Sequence, residues 1–397
     1  MTWRPLIEDA PRRAVIRGIL DDIAAAVAAH EPDPRDLDTL TDQAILRTYL
    51  AADETVLDPS DAAVGALGAA VTRFGSGGFG PTLYGGMSRV AWTVAHVAGG
   101  DDAEAACGLF DATLARVLED WRGDYDLILG LVGFGIYALE RGEAGAPLAR
   151  RVLDALERRA LPRGAGHAWL TGPEFLHPDH RETAPDGYWN LGLAHGIPGV
   201  IGLLARFVRA GIEPVRSRAL LDGAVAFLLG AIPEGGPYPA WQPSTVPASP
   251  RLAWCYGDLG VAHALLGAAL YADRPAWSTA ALAIAHGCAT RSYADARISD
   301  AAICHGAGGV AHLFNRMAVA TGDAVLADAA RTWIDRALAL RCGEALAGFP
   351  RREQNTPPEA DASLLTGAAG VGLVLHAAIS ELEPGWDRLL MADLPQN

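Results

Sequence analysis

The hydrophobic positions of this chain fall into runs that differ in how they surround a helix. Residues 200–208 (VIGLLARFV) and 261–270 (VAHALLGAAL) are apolar on nearly every side, which is typical of helices buried on both faces. The stretches between such runs, for example residues 144–160, carry spaced arginines and leucines and are amphipathic. The pattern therefore predicts an inner layer of buried helices and an outer layer of half-exposed ones.

Each buried run follows two glycines in a Gly-x-x-Gly spacing. The first glycines of these pairs lie 66, 61, 49 and 61 residues apart, and are Gly130, Gly196, Gly257, Gly306 and Gly367. A weaker copy at residues 84–89 lacks the last glycine. These spacings are close to the length of a helical hairpin with its loops, and their regularity indicates a repeat array.

Two of these turns carry thiols and an imidazole, in the sequences Trp-Cys-Tyr-Gly and Ile-Cys-His-Gly. Cys255, Cys304 and His305 would supply two thiolates and one nitrogen, donors that suit Zn²⁺ and leave its fourth tetrahedral position open. An open position is typical of a catalytic zinc, and a thiol that binds there has its pKa lowered. These residues therefore indicate activation of a thiol on zinc.

The placement of these residues favours a closed array over an open one. All the glycine-bearing turns precede inner helices, so residues of different repeats can meet only if the turns converge. Convergence is a property of a closed ring, and we predict an all-α fold, an α/α toroid. We treat residues 1–397 as a single domain of this kind, with residues 1–75 expected to form outer or N-terminal helices.

Composition excludes several classes of function. The formal charge is −15 and all 32 basic residues are arginines without an arginine-rich run, so nucleic acid is not an expected partner. The absence of lysine excludes Schiff-base and P-loop lysine mechanisms. Five cysteines in 397 residues do not indicate a disulfide framework. We expect a cytoplasmic protein, because neither a signal peptide nor an apolar run of about 18 residues occurs.

Four segments, in their order and spacing, resemble the lanthionine synthetase C-like (LanC) cyclases over roughly residues 80–380. They are residues 190–199 (NLGLAHGIPG), 254–257 (WCYG), 304–306 (CHG) and 363–370 (SLLTGAAG). The resemblance implies a toroid of about seven helical hairpins, a zinc held by two Cys and one His, and a stand-alone lanthipeptide cyclase. In that reaction a peptide cysteine thiol adds to dehydroalanine or dehydrobutyrine and closes a lanthionine or methyllanthionine ring.

The resemblance also implies roles for individual residues. His195 matches the family's catalytic histidine, which takes or returns a proton near neutral pH. Asp126 matches the aspartate that orients this histidine, with Asp124 as the alternative two residues away. Arg251 matches a position suited to stabilising an enolate oxygen or a peptide carboxylate. Tyr256 directly follows an expected zinc ligand and could hydrogen-bond the intermediate, with simple packing as a serious rival.

Two further features have weaker interpretations. His286 stands in a second Ala-His-Gly triplet, but no Pro-Gly turn follows it and we expect no catalytic role. Residues 233–251 are aperiodic and rich in proline, glycine and aromatic side chains, and residues 161–187 are similar. Both predict rim segments over the site that could contact a peptide.

Several functions remain open beside the cyclase. The expected substrate is a dehydrated precursor peptide, which a separate lanthipeptide dehydratase would have to make. The same chemistry would also allow addition of glutathione or another small thiol to dehydroamino acids. A zinc-stabilised binding protein is a third reading, although such a site has no use for His195, Arg251 and an inner aspartate. A prenyltransferase-like toroid would need more arginines at the inner turns, and a glycosidase toroid would need paired acids there.

Overall fold

A computed structural model describes residues 3–31, 33, 36–52, 60–232, 237–243, 251–343, 345–352 and 357–395. Within these residues the α-helices are α1 (Ala10–Ala29), α2 (Leu37–Ala52), α3 (Ser60–Gly75), α4 (Met87–Val97), α5 (Asp101–Val117), α6 (Leu131–Glu140), α7 (Ala146–Arg159), α8 (Pro178–Thr183), α9 (Ile197–Arg209), α10 (Pro214–Gly230), α11 (Asp258–Ala272), α12 (Pro275–Ala289), α13 (Tyr293–Ala296), α14 (Ala307–Thr321), α15 (Ala324–Ala339) and α16 (Ala368–Ile379). The strands are β1 (Leu161–Arg163), β2 (Gly166–Ala168), β3 (Trp189–Asn190) and β4 (Trp241–Gln242), in two small antiparallel pairs, β1 with β2 and β3 with β4.

Seven helices of the described chain form a closed inner ring. Each contacts the next in the order α2, α4, α6, α9, α11, α14, α16 and back to α2. An outer helix packs on each of them: α3, α5, α7, α10, α12, α15 and α1, in the same order. The predicted α/α toroid of about seven hairpins is therefore confirmed, and the strands are confined to its connecting segments.

The first 75 residues contribute to both layers of the ring. Helix α1 packs outside α16, and α3 packs outside α2. Helix α2 belongs to the segment for which the sequence predicts outer or N-terminal helices, and it lies in the inner ring between α16 and α4. More than half of its residues are buried, on both its polar and its apolar sides, because neighbours cover it all round.

Glycines cap the N-termini of the inner helices from α4 onwards, and these turns need them for space. The second glycine of each pair is also confined. A Cβ on Gly309, for example, would lie 1.8 Å from the carbonyl oxygen of Ile303, so no larger residue fits without moving the backbone. Gly257 takes a φ of +101°, a conformation that L-residues rarely adopt. The conformation of Gly257 matters for the site, because this glycine directly follows Cys255 and Tyr256.

Backbone hydrogen bonds join these turns around the ring. The N–H of one turn donates to a carbonyl of the next, in the sequence Tyr84 to Ile128 (3.1 Å), Leu127 to Ala194 (3.1 Å), Ala194 to Cys255 (3.3 Å), Cys255 to Cys304 (3.3 Å) and Cys304 to Leu365 (2.8 Å). Successive repeats are therefore fixed to one another at the level where the candidate site residues lie.

The N-terminus of α2 has no glycine turn, and here aspartate side chains accept the hydrogen bonds that join neighbouring repeats. Asp42 accepts a hydrogen bond from the N–H of Leu364 at 2.7 Å and pairs with the buried guanidinium of Arg89. Asp38 accepts from the N–H of Gly85 with both of its oxygens, at 2.8 and 2.9 Å. Two side chains thereby close the ring between the last turn and the first.

The C-terminal segment, residues 380–395, packs against the inner helices from within the molecule. Asp387 is fully buried and contacts His312 and Arg316 of α14, at 2.7 and 2.6 Å. The indole N–H of Trp254 donates to the carbonyl of Leu390 at 3.0 Å. This segment therefore ties together helices that are distant in sequence. Across the described residues, no helix combines the length and apolarity needed to cross a membrane.

Candidate active site

Cys255, Cys304 and His305 lie together, as the sequence predicts. Their sulfur and nitrogen ligand atoms all lie within 4.8 Å of one another. The geometry follows from the ring, because the turns before α11 and α14 are neighbours and the N–H of Cys255 donates to the carbonyl of Cys304. Cys255 is buried, whereas Cys304 and His305 are half-buried, so one side of the group is open to a ligand.

The two thiols differ in acidity. A hydrogen bond from Cys304 lowers the pKa of Cys255 well below its usual value in spite of burial, and contacts with His305 and the charge of Arg251 act in the same direction. The same hydrogen bond, together with burial, raises the pKa of Cys304. Donors of this kind, two thiols and an imidazole, fit a zinc ion with one position left open.

His195 lies on the adjoining turn and is held by Asp126. The Nδ1 atom of His195 lies 2.6 Å from Oδ2 of Asp126, and the other oxygen of Asp126 accepts from the N–H of Leu129. The side chain of His195 is 39% exposed, whereas that of Asp126 is 1% exposed. Although burial opposes it, the hydrogen bond and charge of Asp126 raise the pKa of His195 above its usual value.

The turn that contains Asp126 carries a second carboxylate, which has a different partner. Asp124 accepts a hydrogen bond from the N–H of Tyr125 at 2.6 Å, within its own turn. Burial, and then the charge of Asp126, raise the pKa of Asp124 to about 7. Of the two aspartates left open by the sequence, the structure thus brings Asp126 to His195.

Tyr256 stacks on the imidazole of His195, with the ring centroids 5.9 Å apart and the planes at 22°. Its hydroxyl accepts a hydrogen bond from the amide nitrogen of Asn190 at 3.0 Å. Burial raises the pKa of Tyr256, so the hydroxyl keeps its proton at neutral pH. A tyrosine in this state can donate a hydrogen bond but does not act as a base.

Arg251 occupies the same turn as Cys255, four residues earlier. Its positive charge acts on Cys255, on Cys304 and on the buried carboxylate of Asp300. Asp300 accepts from the N–H of Ala302 at 3.1 Å. The site therefore combines two thiols with one arginine close to them, an arrangement that favours negative charge on sulfur or oxygen.

Other sequence features lie elsewhere. His286 is on the outer helix α12, where its Nε2 atom contacts Asp323 at 2.7 Å. Residues 233–236 and 244–250 of one predicted rim segment lie outside the described residues. The other rim segment contains the β1–β2 pair and α8. Residues 237–243 contain β4, which pairs with β3, and Trp241 stacks on Tyr188 at 5.1 Å.

An acidic cavity of about 500 Å³ lies between the N-terminal part of α2 and the turn before α16. Its lining includes Asp36, Asp38, Asp361 and Thr366, as well as Leu365, whose carbonyl accepts from the N–H of Cys304. Asp38 has a pKa raised above its usual value, mainly by burial. Carboxylates thus predominate in the lining of this cavity, which also includes Arg351.

Asn190 is the residue near the site that the sequence interpretation missed. It lies six positions before the glycine that caps α9, and Asp124, Arg251, Asp300 and Asp361 hold the same position in their own turns. Aligning the turns on their capping glycines would have revealed this set of polar residues. Its members differ in what they bind, and only the structure shows that Asn190 reaches Tyr256.

Comparisons with known proteins agree with this geometry. A family model described as lanthionine synthetase C-like protein matches residues 45–391. A solved structure titled nisin cyclase is similar over 97% of this chain and 98% of its own, with a TM-score of 0.74 and 19% sequence identity. It is one of 14 solved chains that match. No curated protein sequence matches.

Proposed function

Since the chain belongs to the lanthionine synthetase C-like family, we propose that it is a zinc-dependent lanthipeptide cyclase. The substrate would be a precursor peptide in which serine or threonine residues have been dehydrated. The enzyme would join a cysteine thiol of that peptide to the alkene of a dehydroalanine or dehydrobutyrine, forming a lanthionine or methyllanthionine ring. A separate dehydratase would supply this substrate, because dehydration of a hydroxyl residue must precede the addition.

The observation that carries this proposal is the meeting of a thiol–thiol–imidazole group with a histidine–aspartate pair. Cys255, Cys304 and His305 offer three ligand atoms within 4.8 Å of one another, and would hold a zinc ion. When bound, the ion would act as a Lewis acid that lowers the pKa of an incoming thiol. The cysteines do not need an external partner to meet, because the ring already holds their turns side by side.

His195 would move the protons of the reaction. Conjugate addition removes a proton from the thiol and delivers one to the α-carbon of the former alkene. An imidazole that titrates near neutral pH serves both steps, and Asp126 fixes which ring nitrogen faces it. Nε2 of His195 is then the atom left for the substrate. Arg251 would stabilise negative charge on the enolate oxygen.

The rival reading as an enzyme that uses glutathione is less well supported by the net charge of the chain. Glutathione is a net anion at neutral pH, because its two carboxylates outnumber its single ammonium group. The chain as a whole has a formal charge of −15. Like charges raise the free energy of binding a small anionic thiol, whereas a peptide thiol need not carry such a charge.

Zinc content and thiol consumption test this proposal together. We expect about one zinc per chain in the parent protein and its loss or weakening in Cys304→Ala. Incubation with a dehydrated, cysteine-containing peptide should remove free thiol without changing the peptide mass, in the parent only. Cys288→Ala is the matched control, because Cys288 is a buried free cysteine of the outer helix α12.

The outcomes separate the alternatives. Bound zinc with consumption of glutathione but not of the peptide thiol would favour the small-thiol enzyme. Bound zinc without consumption of either would favour a structural zinc. A parent protein without zinc under metal-replete purification would contradict the proposal.

A further inference from the structure

One turn of the inner ring holds Tyr256 at three points. The turn before α9 supplies Asn190, which donates to the Tyr256 hydroxyl at 3.0 Å, and His195, which stacks on the Tyr256 ring. Between them lies Gly192, where an added Cβ would come within 2.6 Å of two ring carbons of Tyr256. Tyr256 itself belongs to the next turn, so the contact joins two repeats across the site.

The direction of the Asn190 hydrogen bond follows from its second contact. The side-chain oxygen of Asn190 accepts from the N–H of Gly192 at 2.9 Å. A backbone N–H can only donate, so the amide oxygen must face Gly192 and the amide nitrogen must face Tyr256. The Tyr256 hydroxyl therefore accepts from Asn190, and its own proton remains available for another acceptor.

Among the described residues, the Tyr256 hydroxyl is hydrogen-bonded to the side-chain amide of Asn190. Asn190 is 2% exposed, so water does not compete for its amide. The stacking with His195 places the same tyrosine beside the residue that would move protons. The proton of the hydroxyl is thus held next to the proposed reaction centre without being used by the protein.

We propose that Asn190 is a positioning residue that holds Tyr256 as a hydrogen-bond donor toward the bound peptide. The acceptor would be the carbonyl oxygen of the dehydroamino acid, on which negative charge grows as the thiol adds. Gly192 leaves the space in which the tyrosine ring lies. This inference rests on the proposed function for its substrate, whereas the contact between Asn190 and Tyr256 can be tested without it.

Two substitutions of Asn190 and one of Tyr256 test the inference. Asn190→Asp keeps the acceptor for Gly192 but replaces the donor to Tyr256 by an oxygen, which would take the tyrosine proton for itself. Asn190→Leu keeps the approximate size of the side chain but makes no hydrogen bond. It replaces Asn190→Asp in the test if the aspartate variant does not fold. We expect either change, like Tyr256→Phe, to lower kcat by about tenfold or more with a smaller effect on KM.

The double variants decide whether Asn190 acts through Tyr256. In the Tyr256→Phe background, Asn190→Leu should cost less than about threefold in kcat, because the group that it positions is already gone. The matched control is Asn315→Leu, which removes a buried amide from α14 beyond the turns and should leave kcat unchanged. Zinc content should remain that of the parent in all of these variants.

A spectroscopic measurement keeps the test independent of activity. In protein labelled with ¹³C at the tyrosine ζ carbon, the Tyr256 signal is identified by its loss in Tyr256→Phe. It should shift in Asn190→Leu and stay in place in Asn315→Leu. An unshifted signal, or a full-sized loss of kcat for Asn190→Leu in the Tyr256→Phe background, would overturn the inference. If the parent protein forms no rings but the signal shifts, the positioning stands and the proposed substrate fails.

Discussion

Asp126 uses its two carboxylate oxygens on different partners. One oxygen binds Nδ1 of His195 and the other binds the backbone N–H of Leu129, both at 2.6 Å. The carboxylate is therefore fixed relative to its own turn and in turn fixes the imidazole. A histidine with 39% of its side chain exposed would otherwise sample several ring orientations.

Substitution of this aspartate should separate orientation from metal binding. We expect Asp126→Asn to lower kcat for ring formation by about 10²-fold or more, because an amide can favour the wrong imidazole tautomer and does not stabilise its charged form. Zinc content should be unchanged. The measurement is the rate of thiol loss, followed by peptide mapping of the thioether.

Asp124→Asn provides the control for that experiment. It makes the same chemical change two residues away, in a carboxylate that binds the N–H of Tyr125. We expect less than about a tenfold effect on kcat. An effect equal to that of Asp126→Asn would contradict the assignment of Asp126 as the partner of His195.

At this scale the sequence was informative about residue types and less so about pairings. The meeting of Cys255, Cys304 and His305 could be predicted, because two thiols and an imidazole on successive turns are the residue types that a zinc site needs. The choice between Asp124 and Asp126 depends on which side chain reaches His195 on the neighbouring turn. Their spacing of two residues does not show this. Asn190 escaped because the sequence shows it only as the first residue of a family-like segment, and not that its side chain reaches Tyr256 on the next turn.

The turns are the elements that set the level of the site. In the turns before α4, α6, α14 and α16, a carbonyl near the start of the turn accepts from the first N–H of the following helix. In α14, for example, the N–H of Ala307 donates to the carbonyl of Asp300 at 2.9 Å. The capping side chain is absent because glycine stands at the N-cap, and the backbone provides the acceptor instead. The site residues thus lie on backbone that the helix itself holds in place.

A single methyl group should reveal how tightly these turns are packed. Gly309→Ala would place its Cβ 1.8 Å from the carbonyl oxygen of Ile303, next to Cys304. We expect the free energy of unfolding to fall by about 1–3 kcal/mol or more, since the backbone must move to admit the methyl group. Urea unfolding followed by circular dichroism measures this, and zinc content should fall as well.

Gly108→Ala makes the same change where space is free. Gly108 lies in the middle of the outer helix α5, with nothing within 4 Å of an added Cβ. Alanine there should raise the free energy of unfolding by about 0.5–1 kcal/mol. Equal effects of the two substitutions would contradict the role given to the turns.

The element that the sequence did not reveal as an inner helix is α2. It lacks the glycine pair by which the other inner helices are recognised, and it carries more polar residues than they do. The structure explains this composition, because Asp38 and Asp42 replace the missing turn as hydrogen-bond acceptors. Because side chains replace the glycine turn in this repeat, its sequence does not show the glycine spacing of the other repeats.

At the scale of the whole molecule, the C-terminal segment joins the inner helices through buried charge. Although burial opposes it, the charge of Arg316 and the hydrogen bond from His312 lower the pKa of Asp387 to about 2. Its value in the unfolded chain is close to the ordinary 3.8. The depressed pKa therefore stabilises the fold above about pH 4, and this contribution is lost as the pH falls through about 2.

Asp387→Asn should expose that pH dependence. We expect the parent to lose roughly 2 kcal/mol more of its unfolding free energy between pH 5 and pH 2 than the variant, because the asparagine does not titrate. Urea unfolding at a series of pH values provides the measurement. A difference between the two proteins that stays constant over this range would contradict the role of Asp387.

The pairing of α1 with α16 bears on how the molecule is made. Helix α1 can pack on its partner only after residues 368–379 have been synthesised, because these residues form α16. Until then both surfaces of that contact stay open, although the turns with Cys255 and Cys304 already exist. A chain that lacks α16 would leave the inner ring open between α14 and α2.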